Sequence, residues 1–412
     1  MKKLFLSVGA VALGTAGLKA AGTSYPIGYG STDLSQPWSV ALTLRGFYDD
    51  NYLTAPDHSP AKRDSFGFSI SPSASVGMSQ GQTDAGIKYT FGAYYYEDRN
   101  DDEWDLRHMV DAFVSHDFSS RLNVYANDSF LYTSEPDLWE GGTPYRSEWS
   151  YWRNNAQLNC TYYITEMLGV VLGYANSYYD YEQEGIGSYS SLLDRWEHLG
   201  LLNLRWQVQP QTVAVVGYNF GYIDFISDDP IAPGVPADTR NSYNHYFYVG
   251  ADHNFMPQLT GGARLGMLYA YFPNNDLDDD QWAPYGELSL RYRYGTYSYL
   301  DMGLQQKFTQ TDVYANNSSS TVLFGAVHQA ITPKLIASVV GRYQYSEFNG
   351  RIPGQVNYDG KHENWFSVGV NLAYEFDRHL SAEVGYSFDK LDSNARSDYD
   401  RNRVYLGVRV AY

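Results

Sequence analysis

The side chains best suited to acid–base or metal chemistry are nine histidines: His58, His108, His116, His198, His245, His253, His328, His362 and His379. They are scattered. None belongs to an H-E-x-x-H pair, and no Gly-Ser-Gly elbow supplies a nucleophile beside them. Cys160 is the only cysteine. It can close no intrachain disulfide and completes no Cys/His zinc set. The expectation is therefore no catalytic site, no metal and no cofactor.

Charge, by contrast, falls on one of the two alternating faces of segments whose other face is apolar. One group is Arg45, Lys88, Arg107, Asp111, Arg153, Arg195, Glu197, Arg205 and Arg264. A second is Glu287, Arg291, Arg293, Asp301, Lys307, Arg342, Glu375, Glu383, Arg403 and Arg409. Their spacing puts each on the face opposite Leu, Val, Ala and aromatic residues. If the apolar face meets lipid, these charges face an interior, because an Arg at the bilayer midplane costs about 2–4 kcal/mol. Two roles stay open for them. They could set a transverse field for hydrated solutes in a channel, or brace the wall as salt bridges. Base outnumbers acid in this set, which leans a channel toward anions.

Such a lining needs strands. In LSAEVGYSF, Leu380, Ala382, Val384, Tyr386 and Phe388 share one face, with Ser381, Glu383, Gly385 and Ser387 on the other. The same alternation fills YLDMGLQQKF (299–308) and NNAQLNCTYY (154–163), and Cys160 falls on the lipid side of the latter. Short turns near 79–82, 118–121, 164–167, 209–211, 255–258, 294–296, 331–334 and 376–379 alternate with longer polar loops. This rhythm gives about nine hairpins, hence about 18 antiparallel strands, within a range of about 16–20.

Three features favour a membrane barrel over a soluble sandwich. Segments such as 65–78 and 85–97 exceed the usual soluble strand. Loops are long on one side and short on the other. Aromatics, 17% of the chain with 40 Tyr, bracket the strands, as expected of two interfacial girdles. The expected fold is all-β: one transmembrane, antiparallel, up-and-down β-barrel over 37–412. Its first strand, 38–48, would pair with its last, VYLGVRVAY (404–412), since an open sheet leaves unpaired edges in lipid. Before it, Lys2, Lys3 and the apolar run Leu4–Leu18 read as a signal peptide over 1–20, with a short periplasmic segment at 21–36.

Some positions resist this register. Asp128, His108, His116 and His198 fall on the lipid face, either through a bulge or because they lie near an interface. Segments 212–222 and 321–329 read either way. The net charge of −18 argues against nucleic acid. Acid collects in loops at 97–105, 227–229 and 274–280. Asp276, Asp278, Asp279 and Asp280 lack the Gly and terminal Glu of a calcium loop, so a solvated loop is expected over a divalent bridge to lipopolysaccharide.

Two motifs resemble known families. The ending, with Gly407, Val410 and Tyr412, is similar to the sorting signal of bacterial outer-membrane barrels, although Leu406 stands where a polar residue is usual. The stretch FYDDNYLTAPDHSPAKRDSFGFSISPSASVG (47–77) resembles a family of Gram-negative outer-membrane porins through Tyr48, Asp50, Asn51, Ser71 and Pro72. The resemblance implies an outer-membrane channel for passive diffusion of small hydrophilic solutes. Its partners would be lipid, lipopolysaccharide and the barrel-insertion machinery acting on the last strand, with a homotrimer as a further expectation. A non-conducting structural or adhesion barrel is the alternative left open.

Overall fold

A computed structural model describes residues 36–99, 102–136, 143–146 and 149–412. The expected signal peptide and nearly all of the expected short segment after it lie outside these residues. Eighteen strands follow in chain order. They are β1 (Trp38–Asp49), β2 (Ser65–Gln80), β3 (Thr83–Tyr96), β4 (Trp104–Ser119), β5 (Leu122–Thr133) and β6 (Tyr151–Tyr163). Next come β7 (Leu168–Tyr181), β8 (Arg195–Gln209), β9 (Thr212–Phe225), β10 (Ser242–Met256), β11 (Leu259–Tyr271) and β12 (Asp280–Arg293). The last are β13 (Tyr299–Thr309), β14 (Asn317–Thr332), β15 (Leu335–Asn349), β16 (His362–Glu375), β17 (Leu380–Ser393) and β18 (Tyr399–Ala411). Each strand pairs antiparallel with its chain neighbours, and β1 also pairs with β18, so the sheet closes on itself.

Alternation in the sequence becomes inside and outside. On β1, Val40, Leu42 and Leu44 are exposed while Thr43, Arg45 and Phe47 are buried. On β18, Val404, Leu406, Val408 and Val410 are exposed while Arg401, Arg403, Tyr405 and Gly407 are buried. The outward apolar face is the lipid-facing one. Aromatic pairs cap it at both rims. Trp38 stacks on Tyr412 (ring centroids 6.5 Å apart) at the short-turn rim, and Tyr178 meets Trp196 (4.5 Å) near the long-loop rim.

The sites that resisted a clean register are not slips. β4 and β5 stay in register from His108 to Asp117, so Asp128, His108 and His116 all point outward. His198 does the same on β8. These histidines are paired. A Tyr hydroxyl from the adjoining strand lies 2.8 Å from Nδ1 of His108, 2.7 Å from that of His198 and 2.9 Å from that of His245, supplied by Tyr89, Tyr174 and Tyr218. Near the short turns, Thr83 and Thr212 serve His116 and His253 in the same way. The ambiguous strands also settle. Val216 of β9 and Leu323 of β14 are exposed on the outer wall, with Val215 and Val322 buried behind it.

On the inner face, large aromatics sit directly across from glycines. Phe47 faces Gly67, Tyr248 faces Gly217, Phe324 faces Gly303 and Tyr405 faces Gly385, and each ring occupies the space a Cβ would take. The rings thereby cover glycine backbone that would otherwise weaken the ladder.

Gly407 has a different neighbour. A Cβ there would stand 2.7 Å from Cγ of Arg45 and 2.9 Å from the Leu44 carbonyl oxygen, so the closing seam has no room for one. Gly407→Val should cost about 1–3 kcal/mol through overpacking. Gly46→Val, at a position with open space around it, should cost nothing measurable. Heat-modified gel mobility of protein refolded in vitro, which bypasses sorting, checks both.

Candidate functional site

The inner wall is the candidate site, and its charges are built into pairs. Arg45 of β1 reaches across Gly407 of β18 to Glu383 of β17, with Nε donating to Oε1 at 2.7 Å. Asn371 of β16 donates to the other oxygen of Glu383 at 2.9 Å and also bonds the Tyr405 hydroxyl at 2.8 Å. The Arg45 guanidinium lies 4.8 Å from the centre of the Tyr405 ring. A small side chain at 407 is thus what lets the cation of one seam strand meet the anion beyond the other.

The strand registers put the charged residues of both alternating groups on this inward face. Arg195 bonds Glu197 (2.7 Å), and Arg291 bonds Asp301 (2.7 Å). Arg205 and Arg264 share the carboxylate of Asp252 at 2.9 and 2.6 Å. Arg403 bonds Asp389 at 2.9 Å. Lys88 lies opposite Asp111, and Arg264 opposite Glu287. Arg342 donates to Gln344 (2.6 Å) under the Trp365 ring. Arg107, Arg153, Arg293, Lys307, Glu375 and Arg409 occupy inward positions on their strands as well.

Sequence reading missed several acids. Asp49, Asp105, Asp252, Glu363 and Asp389 also face inward and are buried or nearly so. They shrink the apparent excess of base. Asp49 and Arg401 were lost because β1 and β18 each continue past the obvious apolar alternation. Asp105 had looked like part of an acidic surface loop. It is in β4, bonded to Arg99 at 2.9 Å and to Arg146.

The mouth at the long-loop rim is occupied. The described residues of the segment after β5, 134–136 and 143–146, reach inward to the seam. There, Glu135 accepts from Arg401 at 3.1 and 3.2 Å and lies 3.7 Å from Arg403. Arg401 is also held by both oxygens of Asp49, at 3.0 and 2.6 Å. Farther along the loop, the Arg146 amide donates to the Thr54 hydroxyl at 2.6 Å. Pro144 accepts from the Tyr399 hydroxyl at 2.9 Å, and the Tyr145 hydroxyl donates to the Ser397 carbonyl. Burial alone would raise the Glu135 carboxyl, but Arg401, Arg403 and Arg146 outweigh it and hold the group well below the usual carboxylate range.

A second layer lies beside this loop. The short helix α1 (Tyr189–Leu193) packs Leu192 and Leu193 against Tyr181, Ile223, Phe225 and Ile231. Buried Arg240 donates to the Leu192 carbonyl at 2.7 Å. Arg396 joins Asp312 (2.6 Å) to Glu363 (2.9 Å), tying two more loops together. Asp278, one of the acidic loop residues, accepts from Arg351 at 2.9 Å. No cluster of metal-ligating side chains occurs among the described residues.

Asp194 ends α1. It accepts from the Ser190 hydroxyl at 2.5 Å and the Tyr181 amide at 2.7 Å, and burial pushes its carboxyl up from 3.8 to about 7. The docked loop therefore keeps a proton that an undocked loop gives up above the ordinary carboxyl range. Docking should be strongest in acid and weaken as pH rises through about 7. Proteolysis within 182–194 should run faster at about pH 9 than at about pH 5, and Asp194→Asn should flatten that difference.

Residues 237–412, which include β10 to β18, match the family model described as "Putative beta-barrel porin 2". Among solved structures, the chain is similar to the outer membrane protein opdK of Pseudomonas aeruginosa, at 14% identity and TM-score 0.44, over 92% of this chain and 100% of that one. It is similar to OccAB4 of Acinetobacter baumannii at 12% identity and TM-score 0.44, over 92% and 99% of the two chains. OccK2 of Pseudomonas aeruginosa, solved with glucuronate, gives 14% identity and TM-score 0.44 over 91% and 98%. A comparison with curated proteins finds no match.

Proposed function

We infer that this chain, a porin-like β-barrel of the bacterial outer membrane, passes small hydrophilic solutes by diffusion along its charged inner wall. The observation that carries the reading is the wall itself. A closed barrel of this strand number encloses more space than wall side chains fill. Its inward face carries hydrogen-bonded charges beside apolar clusters such as Val215, Tyr248, Leu268 and Tyr285. Paired charges fix the lining without leaving a desolvated ion, and their dipoles can replace part of a solute's hydration shell.

Two parts of the wall would shape selectivity. Arg293 and Arg409 have no ion pair among the described residues and lie toward the short-turn rim, so they favour anions there. At the opposite rim, the loop carrying Glu135 narrows the entrance and makes the opening depend on its anchors at Arg401 and Arg403. The same proposal has the long loops meeting lipopolysaccharide, the insertion machinery recognising β18 through Gly407, Val410 and Tyr412, and the barrel assembling as a homotrimer. The packed loops favour one alternative, a structural or adhesion barrel with a shut mouth.

Planar-bilayer conductance under a salt gradient separates the two. The channel reading predicts discrete open steps with a lean toward anions. It also predicts larger or longer openings for Glu135→Gln, because removing one partner of a buried ion cluster weakens docking by about 3–5 kcal/mol. A folded, heat-modifiable protein that conducts in neither form leaves the structural barrel.

A further inference from the structure

The outer wall carries polar groups at a depth where lipid offers them nothing. Asp128 is the seventh of twelve residues of β5, and its side chain is on the lipid-facing side. Both of its carboxylate oxygens accept from Asn154 Nδ2 of β6, each at 3.0 Å. One strand farther on, Asn176 of β7 lies across from Ala156 and bonds His198 of β8, with Nδ2 3.1 Å from Nδ1. The side chains around Asp128 are small. Ala112 and Ala156 are its direct partners on the flanking strands, and Ala126 precedes it on the same face. The wall over β9 to β12 also turns a polar pair outward, Tyr218 with His245, but among the described residues it carries no outward acid at mid-strand, where it presents Val216, Val249, Leu265 and Leu288, all exposed.

We propose that the outward face of β4 to β8 around Asp128 is the surface on which a second copy of this chain packs. A polar carboxyl group facing hydrocarbon is costly, and wall-to-wall contact would reduce that cost. Small residues let two walls approach closely, and polar side chains then bond across the contact. The patch is complementary head to tail, the contact a closed ring of three needs. The carboxyl oxygens of Asp128 lie at its β5 edge and the imidazole of His198 at its β8 edge, with Nδ1 of His198 facing Asn176, so the other ring nitrogen of a neighbour's His198 can reach the oxygens of Asp128. Lipid tails supply no donor, and lipid headgroups do not reach the middle of a strand. The inference rests on the membrane location and homotrimer proposed above, and is independent of conduction.

The test uses the full-length protein in outer membranes. Ala156→Cys and Leu288→Cys are each made in a Cys160→Ser background and treated with a short thiol crosslinker. Mass in mild detergent is measured by light scattering, and heat-modified mobility establishes folding. The proposal predicts linked species for the cysteine at 156 and none for that at 288. It also predicts that folded Asp128→Leu loses most of the linked and oligomeric fraction. Linking at 288 in place of 156, a folded wild type that is monomeric, or an Asp128→Leu oligomer as abundant as wild type would each overturn it. Loss of conductance with linking intact would count against the channel reading alone.

Discussion

The joining of β18 to β1 is the constraint on which the rest of the wall depends. Lipid offers no partner to a strand edge, and each unpaired backbone group there would cost several kcal/mol. Closure fixes the register of the seam, and the register fixes which side of each strand is inside. It also explains the composition of the seam. Gly407 is bare so that Arg45 can cross β18 to Glu383, and Tyr405 covers Gly385 while receiving the bond from Asn371. The two chain ends of the sheet are thus joined by a ladder of backbone bonds and a bridging ion pair.

Once the inside is fixed, its charges must be satisfied. Many are, mostly across neighbouring strands, as Arg205 and Arg264 do with Asp252. Pairing holds those side chains against the wall. At the long-loop rim the same rule reaches beyond the wall. Arg401 and Arg403 have Asp49 and Asp389 as wall partners, and Glu135 of an inward loop joins both. The loop is docked by the wall's own cations, which couples the state of the entrance to the lining.

Much of the wall was legible because period two is a local signal. Strand number, the alternation of short turns and long loops, and the inward register of residues such as Arg342 and Arg409 follow from residues a few positions apart. The mouth was not legible. The bond from Arg401 to Glu135 spans 266 residues, and the loop that holds Glu135 has no periodicity to place it. Asp49 and Arg401 were hidden at strand ends where apolar alternation gives way to polar residues. The outward histidines were misleading for another reason. Their partners, Tyr89, Tyr174 and Tyr218, are on adjoining strands, so their satisfaction appears only once strands are paired.

The central claim is the seam, and a disulfide tests it most directly. Val40 and Tyr412 exchange both backbone bonds, so the next pair, Ala41 with Ala411, is of the non-bonded kind, with side chains closer together. Ala41→Cys with Ala411→Cys, in a Cys160→Ser background, is expressed into the outer membrane and run with and without reductant. Closure in this register predicts spontaneous disulfide formation and slower heat-modified unfolding that reductant reverses. A folded barrel whose two cysteines stay free under mild oxidation would contradict it.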